Sequence, residues 1–566
     1  MTTKKIVIWG AGRIGRGFIA DLFFQAGYQV TFIDQSVKLV DGLNQNGKYS
    51  VILADEKEER KVHIITGYQA ITTEQVALIQ KVIDETDLIA VAVYPEIYPA
   101  AAAAIASFII KRRVTRGNDP IDILLCTNLI HAGPKFQRFL QDAIKDATHL
   151  DFLKTRVGLV ESLVIRICPD PSPKEVATDP FVVLTNGYPI LPVERIAFKA
   201  SIPEVSTLRL VEDMRAEEMR KIYTYNMCHA VLSYLGNLRG YKYLVECLAD
   251  EDIKKIALGA LQEVSIALQK EYSFSPAEMQ IWIDGVINQT NNPAVGDTIL
   301  RSAADPLRKL NKDDRLIGPA LLCIRNGVIP THLTYAIGAA LNYYDINDNA
   351  SIKLSEIIKS EGIRQAIQQV CGLLKENDDF IDEIVRQYLK ILLIYHEDEI
   401  AKRAFQLGFE YEKIYHGCGQ SVLAAILEAT NLFDEEVFRT ATGLSGGVGQ
   451  VTDATCSAYI GASMAIGLFF SRRRKYFNAD RADKYKNFEL VQHLRDKYIA
   501  EYGSITCKDI HCHKYGRAFD LTKKPDQELF EKAGAHGEKG ETEVVANAAK
   551  WTIQILANEF NNSQEV

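Results

Sequence analysis

The sequence has no surplus of positive charge, and this excludes one class of function. It contains 65 lysines and arginines against 73 aspartates and glutamates, so its formal net charge at pH 7 is −8. A protein that binds nucleic acid needs an uncompensated basic surface to neutralise phosphates. We therefore expect no nucleic-acid partner.

The sequence also lacks a long hydrophobic run. Its most apolar stretch, residues 456–470, contains two glycines and falls short of the roughly 20 residues that cross a bilayer. The N-terminal residues lead directly into an apolar strand pattern and not into a secretory segment. We expect a cytoplasmic protein without a membrane partner, in which residues 456–470 form a buried helix.

Cysteines are scarce, and their spacing excludes one cofactor. The chain has 10 of them among 566 residues, and none belongs to the Cys-x-x-Cys-His pattern that attaches a c-type haem. Because disulfides are rare in the cytosol, most of these cysteines are expected to be reduced core residues.

A glycine-rich turn follows the first apolar strand, residues 5–9. Glycines at such a turn let a pyrophosphate approach backbone N–H groups and bring helix and strand close together. The second strand ends in Asp34, 19 residues after Gly15, and its carboxylate would accept from ribose hydroxyls and repel a 2′-phosphate. This pattern predicts a dinucleotide site that prefers NAD over NADP, although a tight turn without a ligand is the alternative. The predicted cofactor-binding residues are Gly10, Gly12, Arg13, Ile14, Gly15 and Asp34.

Apolar strands and helical patterns then alternate, which is typical of a parallel sheet with helices on both faces. An alanine-rich helix is predicted from about residue 98 to 110. Further strands, which would extend the sheet to about residue 195, are predicted at residues 88–93, 121–126, 157–166 and 181–185. Since ligands gather at the carboxyl ends of such strands, Tyr94 and Asn128 are placed near a bound dinucleotide, but Asn128 could equally cap the next helix.

A short helical segment, residues 221–229, carries a second candidate site. At about 100° per residue, Asn226 lies roughly 140° and His229 roughly 80° from Lys221, so all three side chains can face one cleft. The alternative interpretation is a solvated lysine, a locally bonded asparagine and a core histidine. The surrounding region, from about residue 204 to 395, has a mainly helical pattern.

Five charged residues stand beside apolar ones later in this helical region. They are Arg308, Lys309, Asp313, Asp314 and Arg315. Such a cluster is usually a solvated helix end with surface ion pairs.

Three motifs occur in an order and spacing that resembles the polyol-specific long-chain dehydrogenases, over roughly residues 4–395. They are the glycine turn, the Lys221/Asn226/His229 segment and the Pro-Leu-Arg-Lys-Leu…Asp-Arg-Leu stretch. The resemblance implies hydride transfer to NAD without a metal, with Lys221 as general base. It also implies that Asn226 and His229 hydrogen-bond the reacting oxygen. A free lysine, with a pKa of about 10.4, needs desolvation or a nearby cation to act as a base at neutral pH.

Within that family the chain is most similar to members that act on a hexitol phosphate. This implies a sugar or polyol phosphate as the small-molecule partner, bound by Arg308, Lys309 and Arg315, with Arg308 favoured for its bidentate guanidinium. However, Thr127 and His131 stand where those members usually have a glutamate and an arginine. Two alternatives therefore stay open: a dehydrogenase of a free hexitol or of a hexonate such as altronate, and a non-catalytic NAD or redox sensor.

The C-terminal part has glycine- and cysteine-containing segments that resemble the redox-active family named for its C_GCAxxG_C_C pattern. Cys418, Cys456 and Cys507 match three cysteines of that pattern. The fourth, which the family has near the C-terminus before the last helix, is absent from residues 537–542, and Cys512 either substitutes for it or is incidental. A thiol relay or sensor with a redox partner needs exposed cysteines of low pKa. A metal or iron–sulfur site needs converging cysteine and histidine ligands, and the third interpretation is buried cysteines in a helical interaction domain.

The sequence therefore predicts three regions. An α/β Rossmann-type domain occupies residues 1–195 and an all-α dehydrogenase C-terminal domain occupies residues 196–395. A charged stretch at about residues 397–409 precedes an additional, mostly helical module at residues 410–566.

Overall fold

The computed structural model describes residues 4–54, 60–127, 129, 131–478 and 481–562. These residues fall into two compact units. The first unit contains residues 1–229, 243–249 and 268–298, and the second contains residues 230–242, 250–267 and 299–566.

The first unit is organised around a six-stranded parallel sheet. Its strands are β1 (Lys5–Trp9), β2 (Gln29–Asp34), β5 (Gln69–Thr72), β6 (Leu88–Val91), β7 (Ile121–Leu125) and β8 (Val157–Glu161), in the spatial order β5-β2-β1-β6-β7-β8. Alternate residues of β1 face opposite sides of the sheet. Ile6 and Ile8 pack into one buried cluster, whereas Val7 and Trp9 pack into the other. Because both faces are covered, the strands are almost wholly apolar.

Five further strands form two small sheets. They are β3 (Lys48–Ala54), β4 (Arg60–Thr66), β9 (Val183–Thr185), β10 (Leu191–Glu194) and β11 (Leu208–Val211). The expectation that residues 181–185 extend the main sheet is wrong, because β9 pairs with β3 in the order β4-β3-β9. Residues 162–166 are not a regular strand, and β11 interrupts the region expected to be helical. A short apolar run shows that a strand can form but not which partner it pairs with.

Helices of the first unit cover the sheet and carry the segment around residue 221. They are α1 (Ala20–Gln25), α2 (Val37–Asn46), α3 (Val76–Asp84), α4 (Tyr98–Arg116), α5 (Ala132–Asp142), α6 (Ala147–Arg156), α7 (Pro173–Thr178), α8 (Met214–Lys221), α10 (Leu244–Ala249) and α12 (Pro276–Thr290), while α9 (Met227–Leu238) and α11 (Glu251–Tyr272) contribute to both units. Helix α4 runs six residues beyond its expected end. Its buried Arg112 donates to Asp87 Oδ1 at 2.5 Å, which fixes the added turns.

The second unit has helices and no named strand in its described residues. Its remaining helices are α13 (Ile299–Ala303), α14 (Pro306–Lys309), α15 (Ile317–Arg325), α16 (Thr331–Leu341), α17 (Asn349–Glu361), α18 (Ile363–Cys371), α19 (Asp378–Tyr415), α20 (Cys418–Ala429), α21 (Glu435–Thr440), α22 (Ser457–Phe469), α23 (Arg481–Tyr502), α24 (Cys507–Tyr515), α25 (Lys524–Lys532) and α26 (Glu541–Asn562). Helix α19 has 38 residues with a kink at His396 and packs along α26 and α20. The charged stretch at residues 397–409 lies within it.

The apolar run at residues 456–470 is helix α22, as expected. None of the helices in the described ranges is long and apolar enough to cross a membrane.

Candidate functional site

The glycine turn after β1 is built for a close approach of the backbone. Gly10 has a φ of +107°, and a Cβ added there would lie 2.5 Å from the carbonyl oxygen of Ala92. Only glycine fits such a position without displacing the backbone of the next strand. A Cβ added at Gly12 would meet nothing within 4 Å, so space is open beside this glycine.

Asp34 at the end of β2 is tied to this turn. Its Oδ2 accepts from the Ala11 N–H at 2.8 Å and its Oδ1 accepts from the Ser36 N–H at 2.9 Å. These two hydrogen bonds from backbone N–H groups hold the carboxylate at the carboxyl end of the strands, beside Gly10 and Gly12. This arrangement fits the ribose of a dinucleotide.

A cavity of about 390 Å³ lies at this edge, and it brings together part of the expected cofactor set. Gly10, Gly12, Asp34 and Tyr94 line it, as do Gln35 and Thr73, which sequence reasoning missed although both follow a strand end. Arg13, Ile14 and Gly15 are not among its lining residues. Arg13 pairs with Asp170 at 2.6 Å, Ile14 packs against the buried cluster, Gly15 is buried, and Asn128 lies outside the described residues.

Lys221, Asn226 and His229 lie on one helical path, but that path is not a regular α-helix. Residues 222–226 form a π-helical turn in which the Met227 N–H donates to the Ile222 carbonyl oxygen. In a π-turn, residues five apart are about one turn apart, so Asn226 lies nearer in direction to Lys221 than the roughly 140° expected for an α-helix. The expectation of a uniform α-helical spacing was therefore wrong, and the π-turn brings the Lys221 and Asn226 side chains closer in direction.

Thr224 in the π-turn is hydrogen-bonded to Trp282 of helix α12. The Trp282 indole N–H donates to Thr224 Oγ1 at 2.7 Å, while the Thr224 hydroxyl donates to the Arg220 carbonyl at 2.5 Å. Both bonds are buried, so they resist the return of the segment to α-helical geometry.

His229 is positioned by two residues that sequence reasoning missed. Its Nε2 lies 3.2 Å from Thr290 Oγ1 and its Nδ1 lies 4.0 Å from Asp297 Oδ2. No local pattern marks Thr290 or Asp297, since each is more than 60 residues from His229.

Glu218 lies one turn before Lys221 and was also missed. The only available signal was its position three residues before the lysine, on the same helical face. Burial, and secondarily repulsion from Glu161, raises the pKa of the Glu218 carboxyl to about 7. The helix that carries Lys221 therefore also carries a carboxyl group whose pKa lies near neutral pH.

The expected phosphate-binding residues form one cluster in the second unit, and carboxylates already occupy its guanidinium groups. Arg308 pairs with Asp305 at 2.8 Å and with Asp314 at 3.1 Å. Arg315 donates from Nε to Asp314 Oδ1 at 2.7 Å. Lys309 is buried, its Nζ donates to a backbone carbonyl, and burial, with the nearby arginines, lowers its pKa to about 8.

Three of the four selected cysteines lie near one another in the second unit; Cys456 and Cys507 are buried and Cys418 is half-buried. Burial raises the pKa of the Cys418 thiol well above its usual value, and Cys456 and Cys507 lie near enough to raise it further. Burial also raises the pKa of Cys456 to about 12. Cys512 is exposed and is not among the residues around the cavity that Cys418 and Cys507 line. Within the described ranges, no three histidine, cysteine, aspartate or glutamate side chains are arranged to hold a metal ion.

Comparisons with known families cover almost the whole chain. Residues 4–207 match the mannitol dehydrogenase Rossmann domain and residues 213–392 match the mannitol dehydrogenase C-terminal domain. Residues 416–555 match the C_GCAxxG_C_C redox-active protein family. Both expected resemblances are confirmed, as is an NAD-type Rossmann domain followed by helical regions.

One similar relative is a mannitol-1-phosphate 5-dehydrogenase of Caldanaerobacter subterraneus subsp. tengcongensis. It is 30% identical over 393 residues, which cover 68% of this chain and 98% of the relative. Among solved structures, a D-sorbitol dehydrogenase in substrate-free form matches with a TM-score of 0.60 at 15% identity, covering 69% of this chain and 93% of that chain. A Pseudomonas fluorescens mannitol 2-dehydrogenase, in a ternary complex with NAD and D-mannitol, matches with a TM-score of 0.54 at 16% identity, covering 68% and 91%. At such identities the two structures support the fold alone.

Proposed function

Because the chain belongs to the mannitol dehydrogenase family, we propose that it interconverts D-mannitol 1-phosphate and D-fructose 6-phosphate with NAD. The observation that carries the proposal is the path of Lys221, Asn226 and His229 along one π-bulged helix in the unit that also holds the glycine turn. The 30% identical relative named mannitol-1-phosphate 5-dehydrogenase supports the choice of substrate.

The proposed chemistry assigns one task to each of the three side chains. Lys221 accepts the proton of the substrate hydroxyl as general base. The Asn226 amide and the His229 ring hydrogen-bond the reacting oxygen and stabilise the negative charge that develops on it. Gly10, Gly12 and Asp34 hold NAD, which when bound supplies the nicotinamide C4 that accepts the carbon-bound hydrogen as hydride.

The deciding experiment follows the absorbance of NADH with fructose 6-phosphate as substrate. We expect the wild-type protein to oxidise NADH, Lys221→Ala to lose at least about a hundredfold in kcat, and both proteins to bind NADH equally. A matched control is Lys145→Ala, at an exposed lysine of the same unit. Retained turnover in Lys221→Ala would remove the lysine from the reaction. Folded wild-type protein that binds NADH tightly without oxidising it, across polyol phosphates, free polyols and hexonates, would favour the sensor function.

A free hexitol or a hexonate is the second candidate substrate. It is favoured by the ion pairs of Arg308 with Asp305 and Asp314, because a substrate phosphate must compete with those carboxylates for the guanidinium. Thr127 and His131 also favour a substrate without phosphate, since they replace an expected glutamate and an expected arginine. The ratio of kcat/KM for mannitol 1-phosphate to that for mannitol or altronate decides between the two.

We also propose a thiol-redox role for the C-terminal module, with Cys418, Cys456 and Cys507 as its thiols. The match of residues 416–555 to the redox-active family supports this role, whereas the raised pKa values of the three thiols count against it. The same NADH assay before and after a thiol reductant tests whether the module regulates the enzyme, and equal rates would argue against regulation.

A further inference from the structure

A cavity of about 470 Å³ lies within the second unit among helices α19, α24, α25 and α26. Each of these helices contributes to its lining, with Glu412, His511, Phe530 and Glu541 respectively. Its volume falls in the range of sites that hold small organic molecules. The dehydrogenase chemistry proposed above uses none of these residues.

Two buried polar atoms at this cavity lack a partner. Glu412 and His511 are each 1% exposed, and neither Glu412 Oε2 nor His511 Nδ1 has a hydrogen-bond partner in the described part of the chain. An unpaired buried polar atom is costly, and native proteins rarely contain one. Two such atoms around one cavity indicate a ligand that bonds to both.

Carboxyl groups outnumber lysines and arginines in the lining of the cavity. The lining contains Glu412, Glu528, Glu531 and Glu541, one lysine, Lys524, and three histidines, His416, His511 and His536. His536 lies 3.9 Å from Glu412 Oε1 and 2.8 Å from Glu531 Oε1. Burial raises the pKa of Glu412. Burial, and then repulsion from Glu412, raises the pKa of Glu541 to about 7. A cation in the cavity would remove this repulsion and let both carboxyl groups ionise.

The existing contacts leave defined acceptors for such a ligand. The Cys418 thiol donates to Glu412 Oε1 at 3.3 Å, so Oε2 is the oxygen left for a further donor. The Tyr515 hydroxyl donates to Glu541 Oε1 at 3.2 Å. Burial lowers the pKa of His511 to about 4, so its ring is neutral at pH 7 and one ring nitrogen can accept a hydrogen bond.

We propose that this cavity binds a small organic cation that carries N–H groups, held by Glu412 and Glu541. One ammonium N–H donates to Glu412 Oε2 and another N–H group of the ligand donates to His511 Nδ1, and the charge is balanced by the two carboxylates. The hydrocarbon part of the ligand packs against Phe530 and Leu521, which line the same cavity. A ring face such as that of Phe530 also attracts a cation.

Isothermal titration calorimetry of the full chain with 1,4-diaminobutane tests the proposal, with Zn²⁺ as a separate titrant. We expect saturable binding of the diamine with release of protons at pH 7, measured by titration in two buffers of different ionisation enthalpy. Glu412→Gln should weaken binding about tenfold or more, because it removes a charge-assisted hydrogen bond. Glu541→Gln is a second variant with the same expectation.

The matched control is Glu410→Gln, because Glu410 lies two residues earlier on α19 and is exposed. This variant should bind the diamine like wild type, and unchanged thermal melting would show that all three variants are folded. Absence of diamine binding, or equal binding by wild type and both cavity variants, would overturn the proposal. Binding of Zn²⁺ alone, lost in Glu412→Gln, would overturn it in favour of a metal site.

Discussion

The Nε2 atom of His229 lies 3.2 Å from Thr290 Oγ1, and the Thr290 hydroxyl donates its hydrogen to the Val286 carbonyl at 2.7 Å. Because that hydroxyl hydrogen is already used, the threonine oxygen accepts and His229 Nε2 carries the proton. This bond orients the ring of the proposed catalytic histidine. Nδ1, which faces Asp297 at 4.0 Å, is the nitrogen left for the reacting oxygen, and it can donate to that oxygen only when both ring nitrogens carry a proton.

Thr290→Val tests this positioning role, because valine keeps the shape and removes the hydroxyl. We expect kcat to fall about tenfold, since a loosened hydrogen-bond donor stabilises the charge on the reacting oxygen less well, while KM changes little. The pH dependence of kcat should also shift, which a purely structural role would not cause. Thr178→Val is the control: Thr178 makes the same backbone bond, to the Lys174 carbonyl, but without a histidine. An unchanged kcat and pH profile in Thr290→Val would show that the threonine does not position His229.

The cofactor preference depends on the charge of Asp34. Asp34→Asn keeps an acceptor for the Ala11 N–H and removes the negative charge that would repel a 2′-phosphate. We expect the ratio of kcat/KM for NADP to that for NAD to rise about tenfold or more. Steady-state kinetics with both cofactors measures it. An unaltered ratio would mean that the carboxylate does not contact the adenosine ribose.

Local sequence patterns were sufficient for the first part of the cofactor site. Strand β1, the glycine turn and the terminal acid of β2 are adjacent in sequence and follow a spacing that sterics and hydrogen bonding require. That spacing allows the hydrogen bond from the Ala11 N–H to the Asp34 carboxylate. The same reasoning found the Rossmann-type sheet, because continuous apolar runs alternate with helical patterns.

The remaining features depend on contacts between distant residues. The π-turn at residues 222–226 is anchored by Trp282, 58 residues from Thr224, and nothing in the local sequence specifies that bond. The pairing of β9 with β3 is likewise non-local: Gly17 permits it, since a Cβ there would collide with Val183. The polar cavity of the second unit also joins residues from four helices, so single motifs revealed its cysteines but not Glu412 or Glu541.

A variant of Arg308 tests whether this residue recognises the phosphate group of the substrate. If the guanidinium binds the substrate phosphate in competition with Asp305 and Asp314, Arg308→Gln should raise KM for mannitol 1-phosphate about tenfold or more. Turnover of free mannitol should not change. Arg325→Gln, on α15 of the same unit, serves as the control. An equal loss with both substrates would show that Arg308 acts through stability and not through phosphate recognition.

The cysteines should differ sharply in reactivity. Cys512 is exposed, whereas Cys418, Cys456 and Cys507 have thiols whose pKa burial raises. Since the thiolate is the reactive form, iodoacetamide at pH 7.5 should label Cys512 within minutes and the other three only after unfolding. Peptide mass spectrometry reads this out, with Cys512→Ser as the control. Fast labelling of Cys418 in folded protein would show that the thiol becomes exposed in solution and would favour a thiol relay.

The stability of the first unit should depend on pH through Glu218. Its folded pKa, raised to about 7 from the usual 4.5, means that the folded state holds a proton that the unfolded state has lost between these two values. The contribution of Glu218 is therefore fully present below pH 4.5 and is lost as pH rises through 7. Glu218→Gln cannot lose that proton, so its melting temperature should match wild type near pH 4.5 and exceed it at pH 8. Differential scanning fluorimetry across this range, with the exposed Glu74→Gln as control, measures the difference. Parallel curves for wild type and Glu218→Gln would show that Glu218 is already ionised in the folded protein, and that neither burial nor Glu161 raises its pKa.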